Sequence, residues 1–418
     1  MTQTPGLANP VFPRYVKSRI LEALADTRVV LILGARQVGK TTLARAIALD
    51  DHPAEIFSLD NTSTRQSALF DPTGFVAHLT GPALIDEAQR VPDLLLEIKD
   101  ATDVDPSPGR FLLTGSANVL SSKKVADALT GRIEVIELWP LQQSEIEGSA
   151  NNFVDALFAG ALPMISEAPV GRQAFAGRVA AGSYPEPRLR SGRRRDRWFE
   201  SYLRTTFDRD LRDISYAYRL EEMPRLLKYL GAQAANAFSS RGVASALELN
   251  HSTVKNYTQL LEAVFLIKRI SAWRPGIGSR ERQQQKLYVV DTGLLAYLLG
   301  ANEKRIAEDD QVTGKILENF VAMQVLRHLT WAEVDARQYH WRDQRHEVDI
   351  VLETRAGEIA AIEVKAAASV STDDFKSLAR LRDARGKCFK AGVVVYAGAK
   401  TLPFGDRFWA VPVSGLWV

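Results

Sequence analysis

Apolar residues along this 418-residue chain gather in short blocks separated by amphipathic stretches. Val29 to Leu33 is an uninterrupted apolar run, Ala83 to Ile85 and Phe111 to Leu113 are shorter ones, and Glu55 to Leu59 and Ile133 to Leu138 are strand-length pieces broken by Ser or Glu. Blocks of that length predict strands buried on both faces. Helical spacing fills the gaps, with Ile20, Leu21 and Leu24 apolar over residues 18–25 and a helix opening near Lys40. The pattern is that of a parallel sheet covered by helices, an α/β domain running to about residue 145. Residues 146–235 read as mostly helical. Ser239 to Trp273 reads as helix, turn, helix, strand, and Lys286 to Val290 as a second strand before Asp291-Thr292-Gly293 and another helix. Gly300 to Val312 is polar, a linker or a frayed helix end. From Gly314 the pattern is a helix, strands near Val348 to Leu352 and Ile359 to Val364, a helix after Thr372, and closing strands. No apolar run approaches the ~18 residues of a membrane span.

Composition narrows the class. The length is nearly three times the ~150 residues of a typical domain, which predicts two or three domains with cores of their own. With 46% hydrophobic and 25% charged residues the chain is neither disordered nor fibrous. Its one cysteine, Cys388, excludes an internal disulfide and a cysteine-rich zinc site. Met1 to Arg19 lacks the apolar core of a signal peptide, so a cytoplasmic location is expected. The net charge of +3 does not identify a partner, because 53 basic residues nearly cancel 50 acidic ones. The balance is uneven, however. Arg188, Arg190, Arg193, Arg194, Arg195 and Arg197 are opposed within their own stretch only by Asp196, with Trp198, Phe199 and Tyr202 following at helical spacing. Guanidinium groups suit nucleic-acid phosphates, and the same run equally suits a solvated helix face.

The sharpest motif is Gly34-Ala35-Arg36-Gln37-Val38-Gly39-Lys40-Thr41, followed by Thr42, between an apolar strand and a helix. It fits the G-x-x-x-x-G-K-[ST] phosphate loop, whose backbone N–H groups turn toward phosphates. Lys40 is the residue to reach the β- and γ-phosphates, and Thr41 the hydroxyl to hold Mg²⁺. Ala83-Leu84-Ile85-Asp86-Glu87 ends a strand in two carboxylates, Asp86 placed for the metal and Glu87 for polarising the attacking water. Together they point to Mg-ATP or Mg-GTP. Leu113-Thr114-Gly115-Ser116 ends a third strand in hydroxyls that suit γ-phosphate sensing, Ser116 among the cofactor contacts, or simply a Thr/Ser turn. Arg132 and Arg209 are candidate arginine fingers toward a neighbouring subunit's nucleotide, which makes self-association an expectation.

Two further constellations stand apart. Ser239-Ser240 caps a short helix before a second one opening at His251. In a winged-helix outline the second helix offers Ser252, Thr253, Lys255 and Asn256 to DNA, with Arg280 and Arg282 in the loop between the two following strands. Winged helices also serve as protein-contact modules. Near the C-terminus, Asp349 lies on an apolar strand, and Glu363 and Lys365, two apart, share a face of the next. Asp349 and Glu363 are candidate Mg²⁺ ligands, with Lys365 at the water and Glu318 on a preceding helix as a supporting carboxylate. A buried ion-pair network gives the same pattern.

Gly34 to Thr41, Ile85-Asp86-Glu87-Ala88-Gln89, Leu113 to Ser116, Gly131-Arg132, Gly182-Ser183-Tyr184-Pro185, Arg209-Asp210-Leu211, Val290 to Leu294 and Glu363-Val364-Lys365 form a set. In it the chain resembles the prokaryotic AAA-type ATPases that carry a C-terminal restriction-endonuclease-like domain. The resemblance covers nearly the whole chain. It implies ATP rather than GTP as cofactor, an AAA+ core (1–145), a helical extension (146–235), a winged helix (236–300) and a PD-(D/E)XK-like domain (301–418). Glu318, Asp349, Glu363 and Lys365 match that nuclease pattern, with Val348 where its name-giving proline would stand. The resulting expectation is an ATPase that acts on DNA with an attached nuclease or nuclease-derived domain. The alternative is a nucleotide-controlled interaction protein whose carboxylates are structural.

Overall fold

The computed structural model describes residues 12–116, 130–167, 170–211, 220–274, 284–343 and 345–418. Arg280 and Arg282 of the expected wing loop lie outside them.

The N-terminal sheet has five parallel strands, β1 (Val29–Leu33), β2 (Glu55–Ser58), β3 (Ala83–Asp86), β4 (Phe111–Gly115) and β5 (Ile133–Glu137), in the order β2-β3-β4-β1-β5. The continuous apolar runs are explained by burial: every residue of β1, β3 and β4 is inaccessible to solvent or nearly so. Because β1 sits between β4 and β5, the chain leaves β1 for the far edge and works back. That reversal leaves a crevice outside the carboxyl ends of the strands, where the loops after β1, β3 and β4 meet. The Lys40–Ala46 helix starts there, its first turn entered through Gly39 at φ +97°, a conformation closed to side-chain-bearing residues.

The mostly helical segment follows, with helices Phe153–Ala159, Arg172–Ala181, Gly192–Thr205 and Met223–Ala232. The chain is tied across its length where Gly182 meets Gly293. A Cβ on Gly293 would lie 2.9 Å from the Cα of Gly182 and 3.0 Å from the Phe199 ring. Asp291, wholly buried, accepts hydrogen bonds from the Ser183 N–H (2.5 Å) and the Leu294 N–H (2.7 Å). Arg327 completes the knot by donating to the carbonyls of Leu141 (2.8 Å) and Val290 (2.7 Å) and to Ser183 Oγ (2.9 Å). The Gly-Ser-Tyr-Pro and Asp-Thr-Gly signatures are therefore two halves of one packing joint.

Ser239 does cap the Ser240–Leu247 helix, accepting from the Gly242 N–H at 3.2 Å, and the His251–Ala263 helix follows. The antiparallel pair β6 (Ile267–Ile270) and β7 (Lys286–Val289) comes next. The remaining strands, β8 (Ala336–Arg342), β9 (Glu347–Thr354), β10 (Ile359–Lys365), β11 (Phe389–Tyr396), β12 (Leu402–Pro403) and β13 (Phe408–Pro412), form a mixed sheet in the order β12-β13-β11-β10-β9-β8. The β6–β7 pair touches its edge through a bridge between Ala272 and His340. The Lys376–Arg385 helix packs on one face, against Val351, Ile359 and Val394. The Asp310–Leu329 helix covers the other, with Ile350, Ile362 and Val393.

The polar stretch Gly300 to Val312 is not a linker. Asn302 caps a helix at Glu303–Glu308, accepting from the Arg305 N–H, and Asp309 caps the next, accepting from Gln311 and Val312. The polar residues there serve as helix starts, and the long helix they begin is buried on nearly every side. Its Gln324 accepts from the Gln143 N–H (2.9 Å), and its His328 contacts both the Phe153 N–H and the Leu416 carbonyl.

Candidate functional site

The phosphate loop turns tightly because its neighbours leave no room. A side chain on Gly34 would place Cβ 2.2 Å from the Leu138 carbonyl oxygen. Gln37 holds φ +62° without being glycine. Arg14, which sequence reasoning missed, braces the loop: it donates to the carbonyls of Val38 (2.6 Å) and Trp139 (2.6 Å) and pairs with Glu145 at 3.2 Å. Nothing in its Pro-rich neighbourhood signals that task, since all its partners come from elsewhere in the chain. Lys40 is buried and folded back onto the loop, its ammonium donating to the Gly34 (3.0 Å) and Ala35 (2.8 Å) carbonyls. Burial pulls its pKa down to about 8, against the opposing pull of Glu87.

Asp86 is the hub of the crevice. Thr41 Oγ1 (2.8 Å) and Thr114 Oγ1 (2.6 Å) both donate to its Oδ1, and Ser58 Oγ approaches its Oδ2 at 3.4 Å. Thr114 in turn accepts from the Glu87 N–H at 3.0 Å. That bond holds Glu87 at φ +60°, a strained angle for a side-chain-bearing residue, and turns it out of strand register beside the loop. Its carboxylate takes a short hydrogen bond from Gln89. Thr41 and Asp86, expected as metal ligands, are thus in contact, and two hard oxygen donors suit Mg²⁺. Ser116 lies just past the end of β4, half-buried.

The arginines separate. Arg36, inside the loop, is held by Asp210: its Nε lies 2.6 and 2.7 Å from the two carboxylate oxygens and Nη2 2.5 Å from Oδ1. The neighbouring Arg209 is exposed, so it stands next to a residue that touches this chain's own loop. Arg132 precedes β5, and its carbonyl receives the N–H of Val29, the first residue of β1. It is therefore at the opposite end of the sheet from the loop, paired with Asp103 at 2.6 Å. Of the six clustered arginines, Arg188 is spent on the Gly182 carbonyl, Arg190 on Glu186 and Arg195 on the Arg190 carbonyl. Arg193, Arg194 and Arg197 are exposed on the Gly192–Thr205 helix. On the His251–Ala263 helix, Ser252 and Lys255 are exposed and Thr253 and Asn256 half-buried.

At the C-terminal sheet Glu318 and Asp349 do converge, but around a cation that sequence reasoning did not assign and with Glu347 as the third carboxylate, while Glu363 is held by Lys365. The ammonium of Lys286, at the head of β7, lies 2.8 Å from Glu318, 2.7 Å from Glu347 and 2.9 Å from Asp349. The second oxygen of Asp349 accepts from the Val364 N–H at 3.0 Å. Lys365 pairs with Glu363 at 3.0 Å, as their spacing on one strand face requires. Burial, then Asp349, raises Glu363 to about 8 and Glu318 to about 7. Burial opposes the charge on Lys286, but Asp349, Tyr288, Glu318 and Glu347 outweigh it and its pKa is raised. A metal between Asp349 and Glu363 would have to sit beside the Lys286 ammonium, which Asp349 Oδ1 already meets at 2.9 Å. Among the described residues no group of three or more His, Cys, Asp or Glu side chains is arranged to hold a metal ion. Lys286 left one signal, a lysine opening the apolar strand Lys-Leu-Tyr-Val-Val. Glu347 left none.

Residues 26–147 match an AAA domain model. Residues 172–305 and 313–416 match the domains of unknown function DUF8612 and DUF4143. Two mycobacterial proteins, the uncharacterized Rv2008c of Mycobacterium tuberculosis and Mb2031c of Mycobacterium bovis, are each 30% identical over 405 residues, spanning 96% of this chain and 83% of theirs. A RuvB variant from Thermotoga maritima aligns at 20% identity over 60% of this chain and 87% of its own, with a TM-score of 0.27. A signal-transduction ATPase with a tetratricopeptide repeat sensor from Pyrococcus horikoshii aligns at 13% identity over 78% of this chain and 46% of its own, with a TM-score of 0.25. Superpositions this loose add nothing to the sheet order described above. No described helix is long and apolar enough to cross a membrane.

Proposed function

The chain belongs to the family of Rv2008c and Mb2031c and carries an AAA domain of the P-loop type, and from that premise we propose that it binds and hydrolyses ATP with Mg²⁺ and works on DNA. The observation that carries the ATPase reading is the chain of contacts from Thr41 through Asp86 and Thr114 to Glu87, at the carboxyl ends of the strands beside the phosphate loop. Backbone N–H groups of Gly34 to Thr42 cradle the phosphates, and Lys40 leaves the loop carbonyls to reach them. Thr41 and Asp86 would hold Mg²⁺, which when bound would supply neutralisation of phosphate charge. Glu87, turned out by Thr114, takes the proton of the attacking water, and Ser116, just past β4, is the hydroxyl for the γ-phosphate. Arg132 of a neighbouring subunit suits a finger role, since in its own chain it lies at the far end of the sheet. Arg209 is exposed next to Asp210, the partner of this chain's own Arg36.

The DNA part rests on the helix pair with its two strands, read as a winged helix over residues 236–300, and on the exposed Arg193, Arg194 and Arg197 of the helical extension (146–235). The C-terminal sheet, residues 301–418, is read as a nuclease-derived DNA-binding module rather than a metal-dependent nuclease, because its carboxylates are ion-paired. The test is ATP hydrolysis by the full chain with and without plasmid and single-stranded DNA. Turnover that rises with DNA is expected. A rate indifferent to every DNA tried removes the DNA half of the proposal, and no turnover under any condition removes the rest.

A further inference from the structure

The carboxylates of the C-terminal sheet have an unusual companion. Lys286 belongs to β7, which pairs with β6 and, through Ala237, with the chain ahead of the Ser240–Leu247 helix. Its side chain is 3% exposed. An ammonium has three N–H bonds, and here each finds a carboxylate: Glu318 on the long helix, and Glu347 and Asp349 on β9. Tyr288, two residues along β7, donates to the same Glu318 oxygen at 3.3 Å. One lysine thus joins three elements, and its removal would leave three buried or half-buried carboxylates facing one another. Glu363 adds a further carboxylate, with one oxygen on Lys365 and the other, buried, without a hydrogen-bond partner among the described residues.

A divalent ion drawn to this cluster meets a direct competitor. Mg²⁺ requires oxygens at about 2.0–2.1 Å, and the same oxygens now surround an ammonium at 2.7–2.9 Å. Two cations that close would repel across a low-dielectric space, so one excludes the other. We propose that Lys286 is the resident cation of this carboxylate cluster, that it keeps divalent metal out, and that it thereby latches the β6–β7 pair onto the C-terminal sheet. Metal occupancy and a docked Lys286 are mutually exclusive. Any nucleolytic chemistry by this sheet requires β7 to withdraw first. The inference deepens the reading of residues 301–418 as a nuclease-derived module and uses nothing from the ATP site.

The test is Mn²⁺ binding by the full chain without nucleotide or DNA, followed by electron paramagnetic resonance of free Mn²⁺. Wild type and Asp349→Asn are expected to bind alike, because the cluster is closed to metal. Lys286→Met, which keeps the aliphatic stem and removes the charge, is expected to gain one Mn²⁺ site that the added Asp349→Asn change abolishes. Lys286→Arg keeps a cation and is expected to gain none. Wild-type binding that falls with Asp349→Asn would show metal and Lys286 sharing the cluster and would overturn the proposal. A folded Lys286→Met protein without an Asp349-dependent site would overturn it too. If Lys286→Met does not fold, Lys286→Gln takes its place, and the wild-type comparison stands by itself. None of these outcomes touches DNA-stimulated ATP hydrolysis, so the latch and the proposed function fail separately.

Discussion

Arg36 and Asp210 are locked in a forked ion pair, three contacts between 2.5 and 2.7 Å across 174 residues of sequence. One partner belongs to the phosphate loop, the other to the end of the arginine-bearing helical segment. The guanidinium inside the loop is therefore already committed to a carboxylate. A phosphate bound at the loop would compete with Asp210 for the same planar fork.

Asp210→Asn is accordingly expected to loosen the hold on Arg36 and tighten ATP binding, by roughly threefold to tenfold for a pair worth about 1 kcal/mol. Arg36→Ala is expected to weaken binding, and the double change to behave like Arg36→Ala alone. Calorimetric titration reads all three. Weakened binding in Asp210→Asn would mean that Asp210 aims Arg36 instead of restraining it.

Glu87→Gln is expected to bind ATP as wild type does and to lose turnover by roughly 10²- to 10⁴-fold, the usual reach of a positioned base. Steady-state hydrolysis set beside nucleotide binding checks it. Full turnover in that variant would end the assignment of Glu87.

Lys40 predicts a proton coupled to nucleotide. With burial holding its pKa at about 8 in the nucleotide-free chain, a good part of the protein is without that proton above this pH. Phosphate anions favour the charged form, so ATP binding at pH 8.5 is expected to take up a fraction of a proton, and at pH 7 close to none. Titrations in buffers of different ionisation enthalpy measure the uptake. Equal values at both pH settings would refute it.

Gly293→Ala is expected to cost roughly 2–4 kcal/mol of stability, in the range of an overpacked core position. The new methyl would meet backbone atoms of Gly182 and the Phe199 ring, at 2.9 to 3.0 Å. Denaturant unfolding measures the loss, and Gly300→Ala supplies the contrast. Gly300, unlike Gly293, sits at positive φ, with open space around its missing Cβ, so any cost there is conformational alone.

His328 sets an acid limit. One ring nitrogen donates to the Leu416 carbonyl at 2.9 Å and the other accepts from the Phe153 N–H at 3.3 Å, a pairing only the neutral ring makes. Burial holds its pKa at about 4. Between pH 6.5 and 4 the unfolded chain takes up a proton that the native chain refuses, so stability falls as pH falls through that window, by on the order of 3 kcal/mol at its foot. Glu318 and Glu363, raised to about 7 and about 8, act in the opposite sense from pH 4.5 upward. The informative reading is therefore wild type against His328→Gln, whose acid slope is expected to be shallower by up to one proton. Identical slopes would refute it.

Much of the architecture is legible in the sequence, because it rests on local rules. Continuous apolar runs become strands of a sheet covered on both faces, and Gly34, Gly39 and Lys40 stand at spacings that one turn dictates. Asp86 and Glu87 follow at the end of such a strand. Period-two geometry alone puts Glu363 and Lys365 within reach of each other. The Gly300 to Val312 stretch was misleading because capping residues and linker residues have the same composition, and only the helices they begin tell them apart.

What tertiary structure decided is pairing. Arg14 against the phosphate loop, Arg36 against Asp210, and Lys286 among Glu318, Glu347 and Asp349 bring together residues from distant parts of the chain. A sequence states how many charges a chain carries and on which face of its own element each one stands. It does not state which opposite charge will be buried beside it, since that follows from how whole elements pack. For this protein the difference is concrete: the residue pattern supplied a nucleotide loop and a carboxylate set, and packing put a lysine where the second would take a metal.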